Sequence, residues 1–202
     1  MIKVKNTLVP LLLVFMLFSG RALALTWHTE YVEAPKFFLT MRHYLALDSQ
    51  GHPHLAYGGD YLYYAYYDGT NWHTETVDDS PGAGWYASLA LDSHDLPHIA
   101  YYDSTNENLK YAYFDGTTWH IETVDSQRSV GYYASLALDS HDLPHIAYLD
   151  WTHADLKYAY FDGTNWHTET VDSQGYVGEY ASLTLDSHDL PHIAYYLSLI
   201  HI

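Results

Sequence analysis

The chain has 202 residues, no cysteine, and 25 acidic against 8 basic side chains, a formal charge of −17 with histidine neutral. The missing thiol excludes a cysteine nucleophile, a thiolate metal site and disulfide bracing. The charge repels nucleic acid and anionic membrane and leaves glycans, cations or a basic surface protein as partners.

Residues 1–24 have the pattern of a secretory signal peptide. Lys3 and Lys5 form the basic start, Leu8 to Phe18 the apolar run, and Ala22-Leu23-Ala24 the small-x-small cleavage site. Leu25 is then the expected mature N-terminus, and the apolar run is short for a membrane span. Export follows, with the product secreted or held in the cell envelope and no membrane span after cleavage. Cleavage would also remove Lys3, Lys5 and Arg21, making the balance more acidic still.

The rest of the chain is a tandem repeat. Ser88 to Ala134 and Ser135 to Ala181 are identical at 37 of 47 positions. A more diverged copy precedes them and the opening of another follows. Trp27, Trp72, Trp119 and Trp166 each begin Trp-His-x-Glu-x-Val, and Pro53, Pro97, Pro144 and Pro191 each precede a histidine.

Each unit reads as four short strands. Ser88 to Asp92 alternates, with Leu89 and Leu91 on one side, and Ser93-His94-Asp95-Leu96-Pro97 ends it, because proline cannot donate to a ladder. His98 to Asp103 is the second strand and Ser104 to Asn108 a polar loop. Leu109 to Phe114 is the third, and Asp115-Gly116 predicts a hairpin, since glycine supplies positive φ without strain. Trp119 to Val124 is the fourth, rich in residues that favour strands. No stretch has helical periodicity.

Four-stranded units of this length predict an all-β propeller of antiparallel blades. A lone outer strand is expected at 25–32, full blades at 44–77, 88–124 and 135–171, and a partial blade at 182–196. This gives three full blades plus partial ones, an incomplete propeller. Residues 197–202 do not match the repeat. A truncated reading frame is the preferred account of them, and closure by oligomerisation applies only if the short chain is genuine.

Tyr66 to Trp72, Tyr113 to Trp119 and Tyr160 to Trp166 share Tyr-x-Asp-Gly-Thr-x-Trp. This string resembles the Asp-box hairpin of sialidase-type (BNR-like) bacterial propellers. It departs from that motif in that Asp115 and Gly116 adjoin where the Asp-box inserts one residue. The resemblance spans most of the chain after residue 24 and implies fold rather than activity. More loosely, the tandem blades are similar to bacterial fucose-binding propeller lectins.

The two near-identical units locate their own variation. Positions 102, 104, 106, 107 and 108 differ at the connection of strands two and three, 128, 129 and 132 differ in the loop between blades, and only 118 and 121 lie elsewhere, near the Asp-Gly hairpin. In a propeller both loop sets share one face, and loops on a rigid scaffold are the usual seat of binding. Candidate ligand contacts there are Trp85, Tyr86, Asp103, Asn106, Glu107, Arg128, Tyr132, Trp151, His153, Asp155, Tyr176 and Glu179. Aromatic rings among carboxylates and amides suit sugar stacking and hydroxyl hydrogen bonds, so a non-catalytic glycan-binding or display module is the leading function.

A sialidase-like glycosidase or lyase whose catalytic blades lie elsewhere is the alternative, and a structural envelope repeat a third. Sialidase chemistry needs an arginine cluster, and only Arg42 and Arg128 follow the signal. No cofactor or metal is expected. His120 with Glu122 recurs once per blade, far from its copies, and a zinc site needs three or four converging ligands. Ser93, His94 and Asp95 adjoin along a turn and cannot form a triad.

Overall fold

A computed structural model of the protein describes residues 11–16, 27–32 and 44–198. The chain divides into two units, Met1–Phe38 and Leu39–Ile202. In the first, β1 (Leu11–Met16) and β2 (Trp27–Val32) pair antiparallel, with Leu11 opposite Val32 and Met16 opposite Trp27. The expected cleavage site, Arg42 and residues 199–202 lie outside the described residues. Among those described, no helix is long and apolar enough to cross a membrane.

The second unit is a β-propeller of four-stranded antiparallel blades. β3 (Leu45–Leu47), β4 (Pro53–Gly58), β5 (Leu62–Tyr67) and β6 (Trp72–Asp78) form the first sheet in that order. β7 (Trp85–Leu91), β8 (Pro97–Asp103), β9 (Asn108–Phe114) and β10 (Trp119–Asp125) form the second. β11 (Val130–Leu138), β12 (Pro144–Asp150), β13 (Asp155–Phe161) and β14 (Trp166–Asp172) form the third. β15 (Tyr176–Leu185) and β16 (Pro191–Ser198) form a two-stranded sheet. Leu197 and Ser198, set apart in sequence from the repeat, continue β16 opposite Val177 and Tyr176.

The core lies between sheets, not within one. Leu62, Tyr64 and Val77 of the first blade meet Leu89, Ile99 and Tyr101 of the second. Leu109, Tyr111 and Val124 meet Leu136, Ile146 and Tyr148 in the same way one blade on. A central strand is therefore covered on both faces: β8 and β12 are buried along their whole length. That explains why Ile-Ala-Tyr in these strands is continuously apolar rather than alternating. The outer strand β10 is less covered, and its His120, Ile121 and Thr123 are exposed.

First strands sit innermost, with β7 beside β11 and β11 beside β15. They start earlier than the sequence pattern predicts, at Trp85 instead of Ser88, and the register with β8 breaks between Trp85 and Ser88. Tyr86, with φ of 54°, makes that bulge, and an alternation pattern carries no mark of a left-handed residue.

Candidate functional site: an aromatic face on the propeller

The innermost strands carry the repeated string Gly-x-Tyr-Ala-Ser, at 84–88, 131–135 and 178–182. Its tyrosines, Tyr86, Tyr133 and Tyr180, hold φ of 54°, 53° and 54°. A bulky side chain rarely adopts this conformation, so the surrounding structure must impose it. The glycine is part of the reason. A Cβ on Gly131 would stand 2.8 Å from the Leu109 Cα, so only glycine lets the strand cross the preceding blade so closely. Turned this way, the tyrosines pack at tilted angles along the inner end of successive blades. Ring centroids are 4.8 Å apart for Tyr86 and Tyr133, and 4.6 Å for Tyr133 and Tyr180.

A second row of rings joins this ladder from the loops. Tyr86 lies 5.4 Å from Tyr132, and Trp85 lies 6.2 Å from Tyr86. Tyr132 packs on Tyr102 at 4.2 Å, with their hydroxyls 3.0 Å apart. Tyr132 then stacks on Trp151 at 5.2 Å and 26°, and Trp151 meets Tyr176 edge-on at 5.9 Å. Trp151 is 47 % exposed and Tyr180 40 %, which leaves ring faces open to solvent.

Three phenols in this array, Tyr86, Tyr133 and Tyr176, are held above their ordinary value. Burial pushes Tyr86 up, and the neighbouring Tyr132 adds to it, against a hydrogen bond to Tyr133 that pulls down. Tyr133 is raised by burial and then by Tyr86 and Glu179, and Tyr176 by burial and then by Glu179. Each hydroxyl therefore remains able both to donate and to accept.

No protein-family model matches the chain, and no curated protein does. Among solved structures, the NanB sialidase from Streptococcus pneumoniae, in complex with 2-[(3-chlorobenzyl)ammonio]ethanesulfonate, matches with a TM-score of 0.54 and 15 % identity. The match covers 84 % of this chain and 30 % of that one. The likeness is one of fold. This propeller spans less than a third of that chain's length, and at this identity the likeness carries no activity.

Of the residues singled out from the sequence, Trp85, Tyr86, Tyr132, Trp151 and Tyr176 join in the ring array. Glu179 acts electrostatically on Tyr86, Tyr133 and Tyr176. Asp103 departs from expectation as a surface contact. It is fully buried and accepts hydrogen bonds from the backbones of Thr105 and Asn106 and from the Asn106 amide, with Lys110 3.4 Å away. It shapes the loop from within, so Asn106 is partly tied to that task too. His153 is similarly tied, its Nδ1 lying 2.8 Å from Asp150. Glu107 and Arg128 are exposed on left-handed backbone, with φ of 58° and 67°, and Asp155 pairs with Asp150 at the foot of β13.

The other end of the sheets is built from recurring turns. Ser93 donates through its N–H and Oγ to Asp142 of the next blade, at 2.9 and 2.6 Å, and Ser140 does the same to Asp189. Asp92, His94 and Asp142 converge within 4.8 Å, but Asp142 holds Ser93 with both oxygens, so the cluster ties blades together. The Trp-His histidines close the hairpins: the Nε2 of His120 lies 2.6 Å from Asp115, which also accepts the backbone N–H groups of Thr117 and Thr118. His98 and His145 bond the hydroxyls of Tyr111 and Tyr158 inside their blades. Two clefts of about 340 and 260 Å³ open at successive blade seams, and both are lined by repeated positions such as His54 and His98, or Glu75 and Glu122.

Tyr133 and Tyr180 were not legible from variation between units, because they do not vary. The signal that could have found them is the recurrence of Gly-x-Tyr-Ala-Ser itself.

Proposed function

We propose that this chain is a secreted, non-catalytic binding module that takes neutral glycan across the aromatic face. The observation that carries this reading is the run of rings from Tyr102 through Tyr132 and Trp151 to Tyr176, with Trp151 open to solvent. Sugar rings present an apolar C–H face that packs on an aromatic side chain, while their hydroxyls need donors and acceptors at its rim. The phenol hydroxyls and Glu179 supply those. The charge of −17 disfavours acidic glycans, which makes neutral oligosaccharide the favoured class. Export follows from the N-terminal leader pattern.

The test is a titration of neutral oligosaccharides, chosen from a glycan array, into the wild type and Trp151→Ala. Saturable binding is expected, weakened about 30-fold or more in the variant, as for loss of a central tryptophan anchor. Ser140→Ala, at the opposite end of the sheets, should bind like wild type. Binding that survives Trp151→Ala unchanged would overturn the assignment, as would turnover of a fluorogenic sialoside by the wild type. Arg128 is the sole arginine among the described residues, which argues against an arginine-lined substrate carboxylate site.

A further inference from the structure

At two seams, carboxylates and imidazoles converge where the turn of one blade meets the turn of the next. We propose that each of these seams binds a divalent transition-metal ion of the zinc class. One ion is held by Asp92, His94 and His98 with Asp142 of the next blade, the other by Asp139, His141 and His145 with Asp189. Both sites lie at the end of the sheets away from the aromatic face, and the argument does not depend on what that face binds.

Three donors of each site come from the turns. Asp92, His94 and Asp142 each offer an oxygen or a ring nitrogen, and these atoms lie within 4.8 Å of one another. Asp139, His141 and Asp189 repeat the arrangement. Asp142 also clamps Ser93, but an ionised carboxylate has about four lone-pair sites and Ser93 takes two of them. The Asp92 Oδ1 accepts the N–H groups of His94 and Leu96, both at 2.8 Å, and its Oδ2 faces the seam.

The fourth donor is a separate sign of a ligand. His98 is buried, and its Nδ1 bonds the Tyr111 hydroxyl. Its Nε2 stands 3.7 Å from the Asp92 Oδ2, and the Nε2 of His145 stands 3.6 Å from the Asp139 Oδ2. That is too long for a hydrogen bond and close to the spacing of two ligands on one ion with bonds of about 2.1 Å. In the tautomer that donates Nδ1–H to Tyr111, the Nε2 lone pair faces a carboxylate, a contact that a cation between them makes favourable. A partner on the far ring nitrogen is also what orients a metal-binding imidazole. Burial, outweighing the nearby carboxylates, lowers both histidines and keeps the rings neutral, as a ligand must be.

His98 and Asp142 both line the cleft of about 260 Å³ at their seam, which gives an ion a way in. His94 is exposed, with only the Ser93 Oγ on its Nδ1 at 3.1 Å, and is free to swing inward. Two imidazoles with two carboxylates suit zinc and its neighbours, whereas calcium and magnesium take oxygen ligands. The three or four converging ligands that His120 and Glu122 do not assemble are assembled here.

The first seam lacks the set. Gln50 stands where the second blade has His94, and the Nδ1 of His52 takes the Asp48 Oδ2 at 3.0 Å. That seam also shows that the turn accommodates glutamine.

The experiment titrates Zn²⁺ by calorimetry into the full chain, freed of metal with EDTA, and into His94→Gln, His141→Gln and the double variant. The wild type should take up two ions that the double variant does not, and each single variant one. Zn²⁺ should raise the melting temperature of the wild type, reversibly with EDTA, and leave that of the double variant unchanged. Far-UV circular dichroism checks that the variants are folded, as Gln50 leads one to expect. Equal uptake by wild type and double variant would put the ions on other histidines and overturn the proposal. So would the absence of saturable uptake by folded wild type, which would leave the clusters as hydrogen-bonded turns only.

Discussion

The hydroxyl of Ser88 accepts a hydrogen bond from the backbone N–H of Leu136 at 3.0 Å, across the seam between two blades. Ser135 does the same for Leu183 at 2.9 Å. Both serines are buried, so each N–H has no water to turn to. One small polar side chain per blade thus sets the spacing of successive inner strands. Ser88→Ala should destabilise the fold by about 1–3 kcal/mol, because it leaves a buried donor unsatisfied. Urea unfolding would measure this, and an unchanged midpoint with an unchanged slope would contradict it.

Lys157 and Asp125 form a buried charge pair that Tyr148 completes. Burial alone would push the Asp125 carboxyl up, but the hydrogen bonds from Lys157 and Tyr148 outweigh it and hold the group below the usual carboxylate range. Its contribution is therefore present above the unfolded value and is lost as pH falls through the lower folded one. Lys157→Met should destabilise the fold by about 3–5 kcal/mol at neutral pH, since the carboxylate is left buried without a cation. The loss should shrink toward pH 4, where Asp125 can take a proton. A deficit that is the same at both pH values would show that packing, not charge, holds this seam.

The hairpin aspartates give a second pH signature. Asp68, Asp115 and Asp162 are each held down to about 2, first by the backbone N–H groups of Asn71, Thr118 and Asn165 and then by the hairpin histidines. A depressed folded value means that this support persists above the ordinary carboxylate range and drains away between about pH 4 and 2. Carboxyl NMR shifts should report midpoints near 2 while the sheet is intact. Midpoints at the ordinary value in a folded protein would mean that these carboxylates do not hold the turns.

Two glycines separate conformational strain from steric conflict. Gly116 has φ of 89° and open space around a Cβ, whereas Gly131 has φ of 107° and a Cβ would meet the Leu109 Cα at 2.8 Å. Gly116→Ala should lose about 1–2 kcal/mol, the left-handed penalty alone. Gly131→Ala should lose clearly more, because backbone rather than a flexible side chain stands in the way. Thermal melts of the pair decide it, and equal losses would show that the inner strand can shift.

Much of the blade was legible in the residues. β8 starts at Pro97, one residue before the expected His98, while Asp115-Gly116 turns between β9 and β10 and Trp119 opens β10 where turn and strand chemistry puts them. The candidate face was legible in part. Comparing the two units points to Tyr132, Trp151 and Tyr176 because these positions change, and Trp85 and Tyr86 belong to the same loop face. The same comparison passed over Tyr133 and Tyr180, whose rings link theirs, because a feature that every blade needs leaves no difference to see. Asp103 stands among the candidate contacts because it borders the variable loop between strands two and three. It is the last residue of a strand covered on both faces, and that cover comes from the neighbouring blades, which the order of residues does not disclose.

What the sequence by itself determined was local: four strands per repeat, the turns between them, and a copy number written in the spacing of tryptophan and proline. These follow from backbone preferences and side-chain alternation, which act over a few residues. Only the tertiary structure decided which faces meet, that the inner tyrosines stand at positive φ in one ladder, and that Asp78 and Asp125 each accept from a tyrosine and a lysine of the next blade. Those outcomes depend on contacts between residues 20 to 50 positions apart in the chain, where stacking of one blade on the next, not local propensity, sets the geometry.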